Sequence, residues 1–225
     1  MRRDGEITVF DIIGPVMIGP SSSHTAGATR LGNLACAILG ERPQKARIGL
    51  HGSFRDTGQG HGTDKAVVAG LLGFKPDDER IPNSFDLKGD LEVEFFDPEL
   101  DGSTHPNTVV FVLTGTKETI TIKGSSIGGG RVIVDKIDNF PVELSGDYPA
   151  LLTVHKDRPG IIQSVSEILA RYQVNIAFMK VYRLSKGKEA LMLIETDQQV
   201  PATAQKEILA KKDINWVRFV DKISL

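Results

Sequence analysis

The last third of the chain carries the pattern that most narrows its fold. Leu151 to His155 is apolar and strand-like, and "DRPG" at Asp157 to Gly160 is a turn with proline and glycine placed to start a helix. Ile161, Val165, Ile168, Leu169 and Tyr172 then recur at helical spacing, one apolar face over about three turns. "VNIAFMKVYRL" and "EALMLIET" flank "SKGK", which reads as a hairpin around Gly187. A polar helix from about Ala202 to Lys211 leads to a final strand, "NWVRFV". The order is βαββαβ, shared by the ferredoxin-like folds, and that topology alone implies no activity.

A break precedes this module. "SGDYP", Ser145 to Pro149, has the turn composition of a short linker, which divides the chain into residues 1–145 and a compact module at 148–225. A chain of 225 residues with 40% apolar content can bury a core in each part. The formal net charge of -2, with no Lys/Arg cluster and 6% aromatics, argues against nucleic acid or an anionic membrane as the main partner. No apolar run approaches the roughly 18 to 20 residues needed to span a bilayer, and "MRRDGEITVF" turns acidic before any signal-type region develops, so a cytoplasmic location is expected. The single cysteine, Cys36, lies in the apolar stretch "LGNLACAIL" and reads as a buried structural thiol.

Two stretches of the first part concentrate chemistry. In "IGPSSSHTAGATRLG", Leu31, Leu34, Ala35, Ile38 and Leu39 define the apolar face of a helix, so Ser21, Ser22, Ser23, His24 and Thr25 fall at its start. A helix start has about four unpaired N–H groups and a partial positive charge, and one hydroxyl suffices to cap it. Four hydroxyls and an imidazole together point to an anion-binding site instead. The second stretch is a strand, "ARIGLHGSF", then a glycine-rich loop, "RDTGQGHGTDK", then a helix, "AVVAGLLGF". Neither GxxxxGK[ST] nor GxGxxG is present, so no nucleotide fingerprint is met. The loop does carry His51 and His61 near its ends, with Thr57, Thr63 and Asp64 between or beside them, and both stretches are expected to face one site.

These residues carry two resemblances. "HKDRPGIIQSVSEILARYQVNIAFMKVYR" resembles the ACT domain, which implies self-association and, where an amino-acid effector binds, a site near Asp157, Pro159, Gly160 and Asn175 at an interface between two copies. "DIIGPVMIGPSSSHTAGATRLGNLA", "LHGSFRDTGQGHGTDKAVVAGLLG", "THPNTVVFVL" and "SSIGGGRV" resemble the β component of the bacterial iron-sulfur-dependent L-serine dehydratases. The resemblance implies an α/β (α+β) chain of two domains, the first similar to the allosteric substrate-binding domain of some phosphoglycerate dehydrogenases. It also implies conversion of L-serine to pyruvate and ammonia, with a separate α component, or a fused α domain, holding a 4Fe-4S cluster.

The chain's own chemistry agrees with that division. A 4Fe-4S cluster with one open iron needs at least three cysteine thiolates, and one is present; HExxH and paired CxxC spacings are absent, so no metal site is expected here. The implied reaction is β-elimination of water, in which a base removes the α-proton while an iron coordinated to the hydroxyl withdraws charge. His24 and His61 are the candidates for proton transfer or substrate contact, and Ser21, Ser22, Ser23, Thr25, Gly62 and Thr63 for holding the substrate. "HPNT" offers His105 and Asn107 either to an amino-acid effector or simply as a polar lead into the strand "VVFVL". The glycines of "SSIGGGRV" suit close approach to a partner chain or the active site. The competing function is a stand-alone amino-acid sensor with no catalysis.

Overall fold

The structure, a computed structural model, describes residues 16–223. Expectations that touch residues 1–15, including the start of the "DIIGPVM" motif, lie outside the described residues.

The first part is built on six strands: β1 (Lys45–His51), β2 (Glu92–Phe96), β3 (Thr108–Thr114), β4 (Thr119–Gly128), β5 (Arg131–Ile137) and β6 (Phe140–Leu144). They form a sheet in the order β2-β1-β3-β4-β5-β6, parallel between β1 and β2 and antiparallel elsewhere. Two helices of two turns or more belong to this part, α1 (Ala28–Leu39) and α2 (Thr63–Leu71). The second part is a four-stranded antiparallel sheet in the order β10-β7-β9-β8, from β7 (Ala150–Lys156), β8 (Ile176–Arg183), β9 (Glu189–Thr196) and β10 (Ile214–Val220), with α3 (Ile161–Arg171) and α4 (Ala202–Leu209) between strands. The mixed α/β class and the βαββαβ order are as the sequence implies. Among the described residues no helix is long and apolar enough to cross a membrane.

Period-2 alternation divides the second sheet between two cores. Leu151, Met192 and Ile194 face Ile161, Val165, Ile168 and Leu169 of α3 and Ala204 and Ile208 of α4. Leu152, Leu191, Leu193 and Val220 join the other core, with Leu31, Leu34 and Ile38 of α1 and Val109, Phe111 and Leu113 of β3. α1 therefore packs both on the first sheet and on β10 of the second. Polar ties follow the same seam. Arg218 donates from Nε to the Leu39 carbonyl at 3.0 Å and pairs with Glu118, which also accepts from Trp216 Nε1 at 3.2 Å. Arg30, fully buried, donates to the carbonyls of Gly130 (2.7 Å) and Ile223 (2.9 Å) and lies 3.4 Å from Asp147.

α1 and α2 run parallel, since their contacts climb together: Thr25 with His61, Gly32 with Val67 and Gly70, Asn33 with Gly70 and Phe74. A pair of glycines lets them approach this closely. A Cβ on Gly32 would lie 2.5 Å from the Val67 carbonyl oxygen, and one on Gly70 would lie 2.1 Å from that of Thr29. Parallel packing brings the starts of both helices to one end, beside His24 and His61.

Candidate active site

His24 sits in a π-helical turn, Ser22–Gly27, that leads into α1. Such wide turns are rare and recur at functional sites. Ser21 caps it: its hydroxyl oxygen accepts from the His24 backbone N–H at 3.2 Å and lies 3.3 Å from His24 Nδ1. Nε2 lies 3.4 Å from the Ser53 carbonyl oxygen, which only accepts, so the network assigns the imidazole proton to Nε2 and the Ser21 hydroxyl donates to Nδ1. That nitrogen is 3.1 Å from Ser53 Oγ and 3.1 Å from Thr57 Oγ1. Thr57 in turn donates to the Ser53 carbonyl at 2.8 Å, which leaves it a lone pair for the imidazole. Burial lowers the His24 pKa, opposed by the Ser53 carbonyl and helped by repulsion from His61. The neutral form of His24 is thus favoured, with both nitrogens engaged and the ring packed edge-to-face with Phe54 at 5.1 Å between centroids.

His61 differs in one respect. Its Nδ1 lies 3.0 Å from the Thr57 carbonyl oxygen, which only accepts, so Nδ1 carries the proton. Nε2 makes no hydrogen bond to any described residue, and the two imidazole centroids are 4.8 Å apart. The glycine-rich segment around it is wound rather than open. Ser53–Asp56 and Gly58–His61 each make a single helical turn, correcting both the expected loop and the expected strand, which ends at His51 rather than at Phe54. The reason is local: Gly62, left-handed at φ 68°, ends the second turn and precedes α2 without needing an irregular connection.

The two stretches converge as expected, but not every hydroxyl faces outward. Ser21 is committed to His24, Thr25 is 2% exposed and reaches the His61 carbonyl at 3.5 Å, and Thr63 is fully buried with no partner for its Oγ1. Ser22 and Ser23 remain half-buried with no side-chain hydrogen bond to the described residues. His51 ends β1 opposite Thr108 in register.

"HPNT" also belongs to this neighbourhood. The Phe54 N–H donates to the Pro106 carbonyl at 3.3 Å, and the Asn107 carbonyl accepts from Ser126 N–H at 2.9 Å. His105 Nδ1 accepts from Asn107 N–H at 3.1 Å, while Asn107 Oδ1 is buried without a partner. "SSIGGGRV" is the β4–β5 hairpin, and its Ser126 packs directly on Gly27 of the π-helical turn. The remaining effector candidates lie in the second part. The Asp157 carboxylate accepts from the Gly187 N–H (3.0 Å) and Arg183 (3.2 Å), which together lower its pKa. Pro159 and Gly160 are exposed before α3, whereas Asn175 follows α3 and donates to Asp197 at 2.6 Å. About 16 Å of helix separates them, so one copy does not bring these residues together.

Ser53 and Thr57 are the contacts of His24 that the sequence reading did not single out as site residues. Their i, i+4 spacing sets both hydroxyls on one face of a helical turn, a signal without meaning where Ser53 is read as the end of a strand and Thr57 as part of a loop.

Residues 8–88 match the family model described as serine dehydratase beta chain, and residues 150–213 match the ACT domain. Over 196 residues the chain is 44% identical to the probable L-serine dehydratase, beta chain, of Bacillus subtilis (strain 168), covering 86% of this chain and 88% of that one. It is 35% identical over 220 residues to the L-serine dehydratase, beta chain, of Peptoniphilus asaccharolyticus, covering 96% and 99%. A D-3-phosphoglycerate dehydrogenase of Synechocystis sp. (strain ATCC 27184 / PCC 6803 / Kazusa) is 26% identical over 188 residues, 80% of this chain but 33% of that enzyme.

Proposed function

Since the chain belongs to the serine dehydratase beta-chain family, we propose that it is the β component of an iron-sulfur-dependent L-serine dehydratase, acting with an α component to convert L-serine to pyruvate and ammonia. The observation that carries a catalytic role is the unengaged Nε2 of His61, held by the Thr57 carbonyl beside a neutral His24. In this reading His61 Nε2 takes the α-proton of serine, the hydroxyl leaves the β-carbon with the bonding electrons, and aminoacrylate remains. Hydrolysis of its imine tautomer releases pyruvate and ammonia. A neutral His24 adds no repulsion to the imidazolium that forms on His61. Ser22, Ser23 and the N–H groups of the π-helical turn hold the substrate carboxylate, with His105 and Asn107 nearby as polar walls.

The residues of this chain do not fit a 4Fe-4S cluster. That cluster takes cysteine thiolates, and the chain has one cysteine, Cys36, whose thiol lies 3.6 Å from the Glu41 carbonyl and is pushed up in pKa by burial. Among the described residues no three His, Cys, Asp or Glu side chains are grouped to hold a metal. The cluster is assigned to the α component, in the cytoplasm, with residues 1–145 forming the site-bearing domain and 148–225 the ACT domain. Self-association through the ACT domain would bring Asp157, Pro159 and Gly160 of one copy near Asn175 of another. A stand-alone sensor is not favoured, since both beta-chain relatives are named as dehydratase components.

The test is anaerobic co-expression with the α component and a pyruvate assay. Wild-type pairs should turn over L-serine, and His61→Ala should lower kcat by about two powers of ten or more with the fold intact. An inactive wild-type pair refutes the pairing, and full turnover by His61→Ala refutes the role of that imidazole.

A further inference from the structure

Behind the His24 site, on the far side of the Ser53–Asp56 turn, lies a cavity of about 510 Å³ with four of the chain's ten phenylalanines on its walls: Phe54, Phe85, Phe95 and Phe96. Phe85 and Phe95 stand 6.3 Å apart at 49°, and Phe95 is 40% exposed on β2, the edge strand of the sheet. Three charged side chains share this lining. Arg55 grips both oxygens of Asp97 at 2.9 Å and also donates from Nε to Asp56 at 3.0 Å, so its one positive charge is shared between two carboxylates. The third is Asp64, whose Oδ1 is shielded from solvent and has no hydrogen-bond partner. An aromatic cavity where carboxylates outnumber the one guanidinium, with Asp64 unpaired, is complementary to a cation on an apolar stem. The chain itself shows that such rings accept guanidinium: Arg47 lies over Phe96 at 5.0 Å, and Arg80 over Phe74 at 4.2 Å.

We propose that this cavity, lined by Asp64 and the part-exposed Phe95, seats a lysine or arginine side chain of the α component; this rests on the pairing proposed above. An exposed phenylalanine on an unpaired strand edge, backed by further rings and a half-buried carboxylate, has the composition of an interface anchor rather than of a free surface. The location gives the contact a consequence. Phe54 separates the cavity from the His24 ring, and the turn that begins at Ser53 supplies His24 with its hydroxyl partners. A partner anchored here is therefore positioned against the catalytic imidazoles.

The experiment measures association kinetics of this chain with immobilised, anaerobically purified α component by surface plasmon resonance. Asp64→Asn and Phe95→Ala should each speed dissociation by about tenfold or more, with association changed by no more than about twofold. Phe95 is part-exposed, so that variant folds even if Asp64→Asn does not. n-Butylammonium chloride should weaken the wild-type complex more than sodium chloride at equal ionic strength, and should lose that advantage against Asp64→Asn. Wild-type dissociation in both variants, with the wild type still bound, overturns the inference while leaving the α pairing intact. Loss from Phe95→Ala alone overturns the basic anchor. A change in self-association without a change in α binding assigns the cavity to a second copy, also against the proposal. If the wild type does not bind the α component at all, the pairing and the anchor fall together.

Discussion

Replacing Gly70 by alanine tests whether the contact of α1 with α2 is as tight as its geometry implies. The new Cβ would lie 2.1 Å from the Thr29 carbonyl oxygen and 2.9 Å from Gly32 Cα, both main-chain atoms of α1. Relief even to 3.0 Å, the short limit of real Cβ contacts, requires the helices to part by about 0.9 Å, because no side chain is available to swing away. Overpacking costs typically about 1 to 3 kcal/mol, and a backbone-on-backbone clash falls at the upper end. Against this, alanine gains at most about 1 kcal/mol of helix propensity over glycine, and less near a helix end. The net expectation is a loss of about 2 kcal/mol, equivalent to about 4 to 8 °C in Tm for a chain of this size. Far-UV circular dichroism of wild type and variant across a thermal ramp reads it directly. Gly32→Ala should behave alike, its Cβ meeting the Val67 carbonyl at 2.5 Å, and the double variant should cost less than the sum because one parting relieves both clashes. An unchanged or raised Tm in Gly70→Ala would show that propensity wins and that the close crossing is not what sets the helix spacing.

How much of this was legible beforehand depends on the kind of signal. The second part was readable because each of its elements has a period: Val165, Ile168 and Leu169 turn up buried on α3, and β9 is apolar without alternation because it is covered on both faces. The start of α1 was readable for the same reason. The convergence of His24 with His61 was anticipated from residue types, but its geometry was not, because it depends on Gly32 and Gly70, which in a one-dimensional reading are weak helix formers rather than a contact. Thr57 was named beside the histidines, but Ser53 and the pairing of both hydroxyls on His24 were missed because "ARIGLHGSF" reads as strand through Phe54 and the glycines after it as a loop, whereas these glycines are absorbed by single turns or their caps. Arg30 carried no sequence signal at all. Its three partners lie about 100 or more residues away, and a lone arginine in a helix normally faces water.

Two further outcomes follow from the charges and the shared core. His24 has a folded pKa below its usual 6.5, so the unfolded chain binds a proton more readily; stability is fully present above that value and falls as pH drops through it. His155, lowered by its own burial, acts with the same sign, so the urea midpoint of His24→Asn should fall less steeply between about pH 7 and pH 5 than that of wild type, and parallel curves would refute the assignment of a desolvated, neutral His24. The last concerns cooperativity. Two modules joined by a linker would be expected to melt separately if each had a closed core, since little free energy would couple them. Here Leu152, Leu191, Leu193 and Val220 of the second sheet lie in the same cluster as Leu31, Leu34 and Ile38 of α1. Arg30 adds buried hydrogen bonds to Gly130 of the first part and Ile223 of the tail. Melting either sheet alone would expose that cluster and strand the guanidinium among unpaired groups, a cost of several kcal/mol, so partial unfolding is disfavoured. Differential scanning calorimetry should show one transition with equal calorimetric and van't Hoff enthalpies, and Arg30→Met should lower its midpoint without splitting it. Two resolved transitions in the wild type would mean that the seam between the sheets contributes little, and that α1 belongs energetically to the first sheet alone.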